Sequence, residues 1–157
     1  MSTPLIEWHA LAFSELSLQD WHDMLRLRID VFVVEQNCPY PELDGKDPYC
    51  VHVFGKSQGR VVAVTRIVPP GLSYPEVAIG RVAVSEEYRK YGIGRGLMLQ
   101  SLREVQNRFG KVPVRISAQT YLRDFYGSLG FEETGKSYLE DGIPHIEMLL
   151  PQLSSSN

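Results

Sequence analysis

The chain has 157 residues, of which 43% are hydrophobic, 22% charged and 10% aromatic, a balance that fits one folded domain and excludes disorder, collagen-like repeats and disulfide-dense scaffolds. Its formal net charge is −3; with that acidity and no aromatic interleaving in its basic run, nucleic acid is not an expected partner. The longest apolar stretches, such as Val61 to Val64, fall far short of the roughly 20 residues of a spanning helix, so no membrane partner is expected either.

Met1 to Phe13 lacks the basic and continuous apolar regions of a secretory signal, which leads to an expectation of a cytoplasmic protein. A strand near Leu5 to Leu11 opens the pattern. Ser17-Leu18-Gln19-Asp20 resembles a capping box, and Leu18, Trp21, Leu25, Ile29 and Phe32 follow at helical spacing, predicting one amphipathic helix over 18–33. Pro39 and Pro41 end it, and a polar loop runs through Asp44-Gly45-Lys46-Asp47-Pro48. Val51 to Phe54, a turn at Ser57-Gln58-Gly59, and Val61 to Val68 read as a hairpin, and Glu76 to Val84 as a third strand. After a glycine-rich turn, Leu97, Met98, Leu102, Val105 and Phe109 mark a second helix, stopped at Gly110. Val112 to Ser117 is a strand. Leu122 to Leu129 forms a short helix stopped by Gly130, and the last 25 residues hold two strands joined at Asp141-Gly142. Residues 1–150 thus make a single domain, with a flexible tail over 151–157. This α, β, β, β, α, β, α, β, β order predicts an α/β or α+β sheet with helices on both faces.

Charge is unevenly spread. Residues 1–50 carry nine acidic and three basic side chains, whereas 89–115 carry seven basic and one acidic. Such an asymmetry can bring a cationic substrate to a polyanionic one. Cys38 and Cys50, with eleven residues between them, match neither a CxxC redox pair nor a zinc ribbon, and the wider set of Cys38, Asp44, Asp47, Cys50 and His52 has no standard metal spacing; no metal is expected.

Arg89-Lys90-Tyr91-Gly92-Ile93-Gly94-Arg95-Gly96 lies between a strand and a helix, where backbone N–H groups and the helix dipole favour a phosphate and flanking arginines and lysine add full charge. A dinucleotide fingerprint is excluded, because Leu97 stands where a third small residue is needed. Gly130 to Ser137 matches GxxxxGK[ST] literally, but it leaves a helix and enters strand-like sequence, and Glu132 and Glu133 would face the phosphates.

The strand Ile79 to Val84 followed by Arg89-Lys90-Tyr91-Gly92-Ile93-Gly94 resembles the coenzyme A signature of the GNAT N-acetyltransferases, and Gln119 to Phe131 resembles their second signature. Val31 to Tyr40, Asp44-Gly45 and Asp141 to His145 are similar to segments of the ElaA subgroup. The resemblance spans nearly the whole chain. It implies a mixed, mostly antiparallel sheet of six to seven strands splayed near the fourth, and acetyl transfer from acetyl-CoA to a primary amine, of a small molecule or a protein, in a ternary complex. It implies that the backbone of Val82, Ala83 and Val84 binds the pantetheine arm, that amides from Lys90 through Gly94 hold the pyrophosphate within the segment Arg89 to Gly96, and that Tyr126 protonates the departing thiolate. Gln119 stands where the family usually has Asn. The resemblance also brings a homodimer into consideration.

The chemistry needs a proton acceptor, since an alkylammonium is only about one part in a thousand neutral at pH 7. Glu35, Asp44, His52, Glu76 and His145 have suitable side chains. Glu35 and His52, which belong to segments similar to the ElaA subgroup, are preferred on the substrate side. Two rival readings keep the same residues: a non-catalytic or regulatory acyl-CoA-binding domain, and an interaction module built on the acidic N-terminal segment.

Overall fold

The computed structural model describes residues 3–152; the end of the expected tail, from residue 153 on, lies outside them. Seven strands form one sheet: β1 (Glu7–Ala12), β2 (Val51–Ser57), β3 (Arg60–Val68), β4 (Val77–Val84), β5 (Val114–Gln119), β6 (Glu132–Glu140) and β7 (Ile143–Leu150). Their order is β1-β2-β3-β4-β5-β7-β6. All neighbours are antiparallel except β4 and β5, which run parallel and pair only at Val77 with Val114 and Ala78 with Arg115. Beyond that point the sheet splays, as the resemblance implied.

The helices are α1 (Leu18–Ile29), α2 (Ile93–Phe109) and α3 (Arg123–Gly127). Because strand side chains alternate, Val53, Ala63 and Ile67 bury against Leu97, Met98 and Val105 of α2, while Phe54, Val64 and Ala83 bury against Met24 and Leu27 of α1 on the opposite face. No described side chain caps the start of α2. Leu97 and Met98 are fully buried, and about 1.5–3 kcal/mol for each such side chain outweighs the missing cap.

Ser17 caps α1, its Oγ accepting from the Asp20 N–H at 3.0 Å. Ser17→Ala is therefore expected to cost about 1 kcal/mol, read as a fall of about 2–4 °C in thermal midpoint; an unchanged midpoint would remove the cap from the account. The expected single helix over 18–33 differs at its end, where the chain widens into a π-helical turn over Asp30–Glu35, closed by the Cys38 N–H on the Val33 carbonyl at 3.0 Å. Val31, Val33 and Val34 crowd a tight helix at χ1, and π turns of this kind recur at functional sites.

Two backbone irregularities shape the sheet. At Gly55 a Cβ would fall 2.7 Å from Ile6 Cγ2 and 2.8 Å from Trp8 Cζ3, so glycine is what admits the N-terminal residues against β2. On β4, Val64 pairs with Ala83 and Arg66 with Gly80, which leaves Arg81 and Val82 together opposite Thr65. This is a β-bulge, with Arg81 at φ 52°. A non-glycine residue held there stores local strain, a feature concentrated at active sites and ligand clamps.

Candidate active site

The splay opens a cleft of about 550 Å³ between the two halves of the sheet. One wall is the β4 bulge, Gly80, Arg81 and Val82; the other is Ser117 and Gln119 of β5, Leu122, Tyr126 of α3 and His145 of β7. Phe32, Gln36, Cys38 and Tyr40, from the π turn and the loop after it, line it as well. The Cys38 thiol donates to the Asp141 carbonyl at 3.4 Å, joining that loop to the β6–β7 turn.

Beside the cleft the chain leaves β4 through a 3₁₀ segment, Glu86–Tyr91, and turns at Gly92, φ 72°, into α2. That left-handed conformation is one that a glycine adopts freely. The first amides of α2 lack intrahelical partners by construction, and the helix dipole is positive at that end. A Cβ at Gly94 would meet only Val84 Cγ2 at 3.9 Å and Phe125 Cζ at 4.0 Å, so the space at Gly94 is open, as a pyrophosphate cradle requires. Ile93 is buried and offers its backbone alone. Arg89 donates from Nε to the Val84 carbonyl at 3.0 Å and clamps the segment to the end of β4. Lys90 lies over the Tyr91 ring, and Arg95 donates to Ser128 Oγ at 3.1 Å. Gly96 packs near Trp8.

Tyr126 is 5% exposed, set edge-on to Phe125 and Phe131, and burial pushes its phenol well above the usual value. It is therefore a protonated donor at neutral pH. The acid candidate, Gln119 and the β4 bulge thus share one cleft.

Glu35 and His52 stand elsewhere. Glu35 pairs with Arg89 Nη2 at 2.7 Å, outside the cleft lining. His52 is completely buried, set against Trp21 and Phe13, with Nε2 donating to the Asp47 carbonyl at 2.9 Å; burial pushes its pKa down. Glu76 forms a two-pronged pair with Arg115, both contacts 2.8 Å. Cys50 is buried, which pushes its thiol up to about 11 and removes it as a thiolate nucleophile. Among the described residues no three His, Cys, Asp or Glu side chains gather as a metal site.

Sequence reasoning missed a group of paired charges beside the cleft. Arg28 of α1 donates to Glu42 at 2.6 Å and to Asp47 at 2.9 and 3.2 Å. Arg66 of β3 donates to Asp44 at 2.9 Å and to Asp47 at 3.1 Å, and Arg81 donates to Glu42 Oε2 at 2.8 Å. Tyr40 also donates to Glu42. Three guanidinium groups face three carboxylates, so the cluster is neutral. At Asp44 burial would raise the pKa, but Arg66 more than offsets it and holds the carboxyl far below its usual range. Three of the nine acidic side chains of residues 1–50 are thus neutralised within this cluster by Arg28, Arg66 and Arg81, and the other six lie outside it. One signal was available for the bulge: Gly80 stands inside the strand-like run from Val77 to Val84, and an isolated glycine inside a strand marks a bulge.

A family model for the GNAT acetyltransferase domain matches residues 31–151. The chain is 42% identical to the protein ElaA of Escherichia coli strain K12, over 92% of this chain and 95% of that one. A crystal structure of Escherichia coli ElaA superposes with a TM-score of 0.87 at 41% identity, covering 92% of this chain and 99% of the other. An acyl-CoA N-acyltransferase from Pseudomonas aeruginosa superposes with a TM-score of 0.86 at 37% identity, covering 91% of this chain and 98% of the other.

Proposed function

The chain belongs to the GNAT acetyltransferase family, and on that premise we propose that it transfers an acetyl group from acetyl-CoA to a primary amine by direct attack within a ternary complex. The observation that carries this reading is the meeting, in one cleft, of a strained β4 bulge and a buried, protonated Tyr126, next to the uncapped start of α2 with its open face at Gly94. On its β5 edge the backbone over Val82, Ala83 and Val84 has no strand partner, and the groups there that Arg89 does not occupy are left to the pantetheine amides and the thioester carbonyl. The amides from Lys90 through Gly94, flanked by Arg89 and Arg95, hold the pyrophosphate. N–H groups at the bulge that face the developing oxyanion contribute about 3 kcal/mol to its stabilisation. Tyr126 supplies the proton to the departing sulfur, and Gln119 orients the acyl arm across the cleft.

For Glu35 and His52 we propose supporting roles. Glu35 fixes Arg89, and His52 helps hold Asp47 in the buried ionic cluster. Among the described residues no helix is long and apolar enough to cross a membrane; we place the protein in the cytoplasm, where acetyl-CoA is available and cysteines such as Cys38 and Cys50 stay free.

Calorimetric titration with acetyl-CoA tests the reading. Gly94→Val adds a side chain into open space without backbone strain, so it is expected to fold normally, as checked by circular dichroism. Blocking the close approach of a pyrophosphate to the helix amides should weaken binding by about 100-fold, the scale of a few charge-assisted hydrogen bonds. Unchanged affinity in the folded variant, or no binding by the wild type, would overturn it.

A further inference from the structure

Resting on the acetyltransferase reading above, we infer that His145 is the proton acceptor for the attacking amine and that Glu140 holds the imidazolium that forms. His145 sits on β7, opposite Gln119 of β5 on one side and Tyr138 of β6 on the other. It is 7% exposed and lines the cleft together with Tyr126, Arg81 and Val82. Its Nδ1 lies 2.7 Å from the Ile143 carbonyl. A carbonyl only accepts, so in the neutral ring the proton resides on Nδ1 and the Nε2 lone pair is bare. The ring stacks on Tyr138 with an interplanar angle of 14°, which fixes where that lone pair points.

Nε2 is 3.4 Å from Glu140 Oε2. A carboxylate also only accepts, so the two atoms share no hydrogen bond until a proton arrives on Nε2; it then enters a charge-assisted pair. The other candidates are committed elsewhere: Asp44 to Arg66, Glu76 to Arg115, Glu35 to Arg89, and His52 to the Asp47 carbonyl behind Trp21. Tyr138 and Glu140 of β6 stand directly against His145, and the other titratable or charged groups lining the same cleft are Cys38, Tyr40, Asp44, Lys46, Arg66, Tyr74, Arg81, Tyr126 and Asp141.

The proton balance is complete. Of the three protons on the bound ammonium, one goes to His145 Nε2 and on to solvent. The freed lone pair forms the C–N bond, and the C–S bond breaks with its electrons on sulfur. Sulfur takes the Tyr126 proton, the nitrogen's second proton restores the phenol, and the third remains on the amide.

Two measurements on the full chain test the inference. Nitrogen-15 NMR of histidine-labelled protein bound to acetyl-CoA, followed up in pH until the ring is neutral, should show His145 protonated on Nδ1 and bare on Nε2. Protonation on Nε2 of the neutral ring overturns the assignment, whatever any variant does. Thiol release is then followed for wild type and His145→Gln with butylamine, a cation at pH 7, and methoxyamine, uncharged there. The variant should keep acetyl-CoA affinity and lose about 100-fold in kcat/KM with butylamine, yet stay within about threefold with methoxyamine. Between pH 7 and 9 its butylamine rate should climb in proportion to free amine, more steeply than the wild type's, and Glu140→Gln should lie between the two. Equal losses with both nucleophiles, or no loss, overturn the role of His145. Thiol release absent from the wild type with both amines would overturn the transfer reading itself, and this inference with it.

Discussion

Replacing Asp47 with alanine is expected to lower the free energy of unfolding by about 3 kcal/mol. Asp47 is 3% exposed and accepts from both Arg28 and Arg66. Its removal leaves two buried guanidinium groups with less than their full complement of acceptors, although Glu42 still meets Arg28 and Asp44 still meets Arg66, which keeps the loss at the lower end of what a broken buried pair costs. Urea unfolding followed by circular dichroism measures it. A change under about 0.5 kcal/mol, the size of an ordinary surface substitution, would show that the cluster is not what secures the loop to the sheet. The same cluster sets an acid dependence. Burial alone would raise the Asp47 pKa, but Arg28 and Arg66 bring it below the usual value, as Arg66 does for Asp44. Carboxyls depressed by folding contribute their full stability above the unfolded value of about 3.9 and lose it as pH falls through the lower folded values. Wild-type stability should therefore hold down to about pH 4 and drop below it, and the drop should be shallower in Asp47→Ala.

Tyr126→Phe is expected to lower the turnover number by about 10²–10⁴-fold, the range of general-acid assistance, with acetyl-CoA affinity unchanged. Phenylalanine keeps the edge-on packing with Phe125 and Phe131 and removes only the hydroxyl. Burial holds that hydroxyl protonated well beyond neutral pH, so the wild type has the proton to give throughout the working range. Titration calorimetry beside a thiol-release assay separates the outcomes. Unchanged turnover would take Tyr126 out of the acid role, and tight acetyl-CoA binding without turnover in the wild type would favour a non-catalytic acyl-CoA-binding domain.

The local physics of the chain was readable in order. The Ser17 cap, the β-branched runs, the glycine turn before α2 and the Asp141-Gly142 hairpin each act over a few neighbouring residues, so spacing reveals them. The α1 terminus was less legible, because the wider period of a π turn extends over only Asp30–Glu35, too few residues for spacing to register. What spacing could not reveal is the pairing of Arg28, Arg66 and Arg81 with Glu42, Asp44 and Asp47, contacts that cross 14 to 39 positions. His52 shows the same limit. In sequence it is a histidine with suitable chemistry; in the fold it lies behind Trp21 and Phe13. His145 is the converse, one of five side chains with suitable chemistry but not a preferred one, which β7 carries to the cleft between β5 and β6.

The two pairs that join β4 to β5 make a weak seam in an otherwise continuous fabric. On one side four strands are stitched by long antiparallel ladders, and on the other three. The join where they meet has the fewest main-chain pairs in the sheet. The bulge belongs to one panel, Tyr126 and His145 to the other. A ligand reaching across the gap would act as a third stitch between panels that share few main-chain bonds but one apolar core, to which β2, β3, β5 and β7 all contribute.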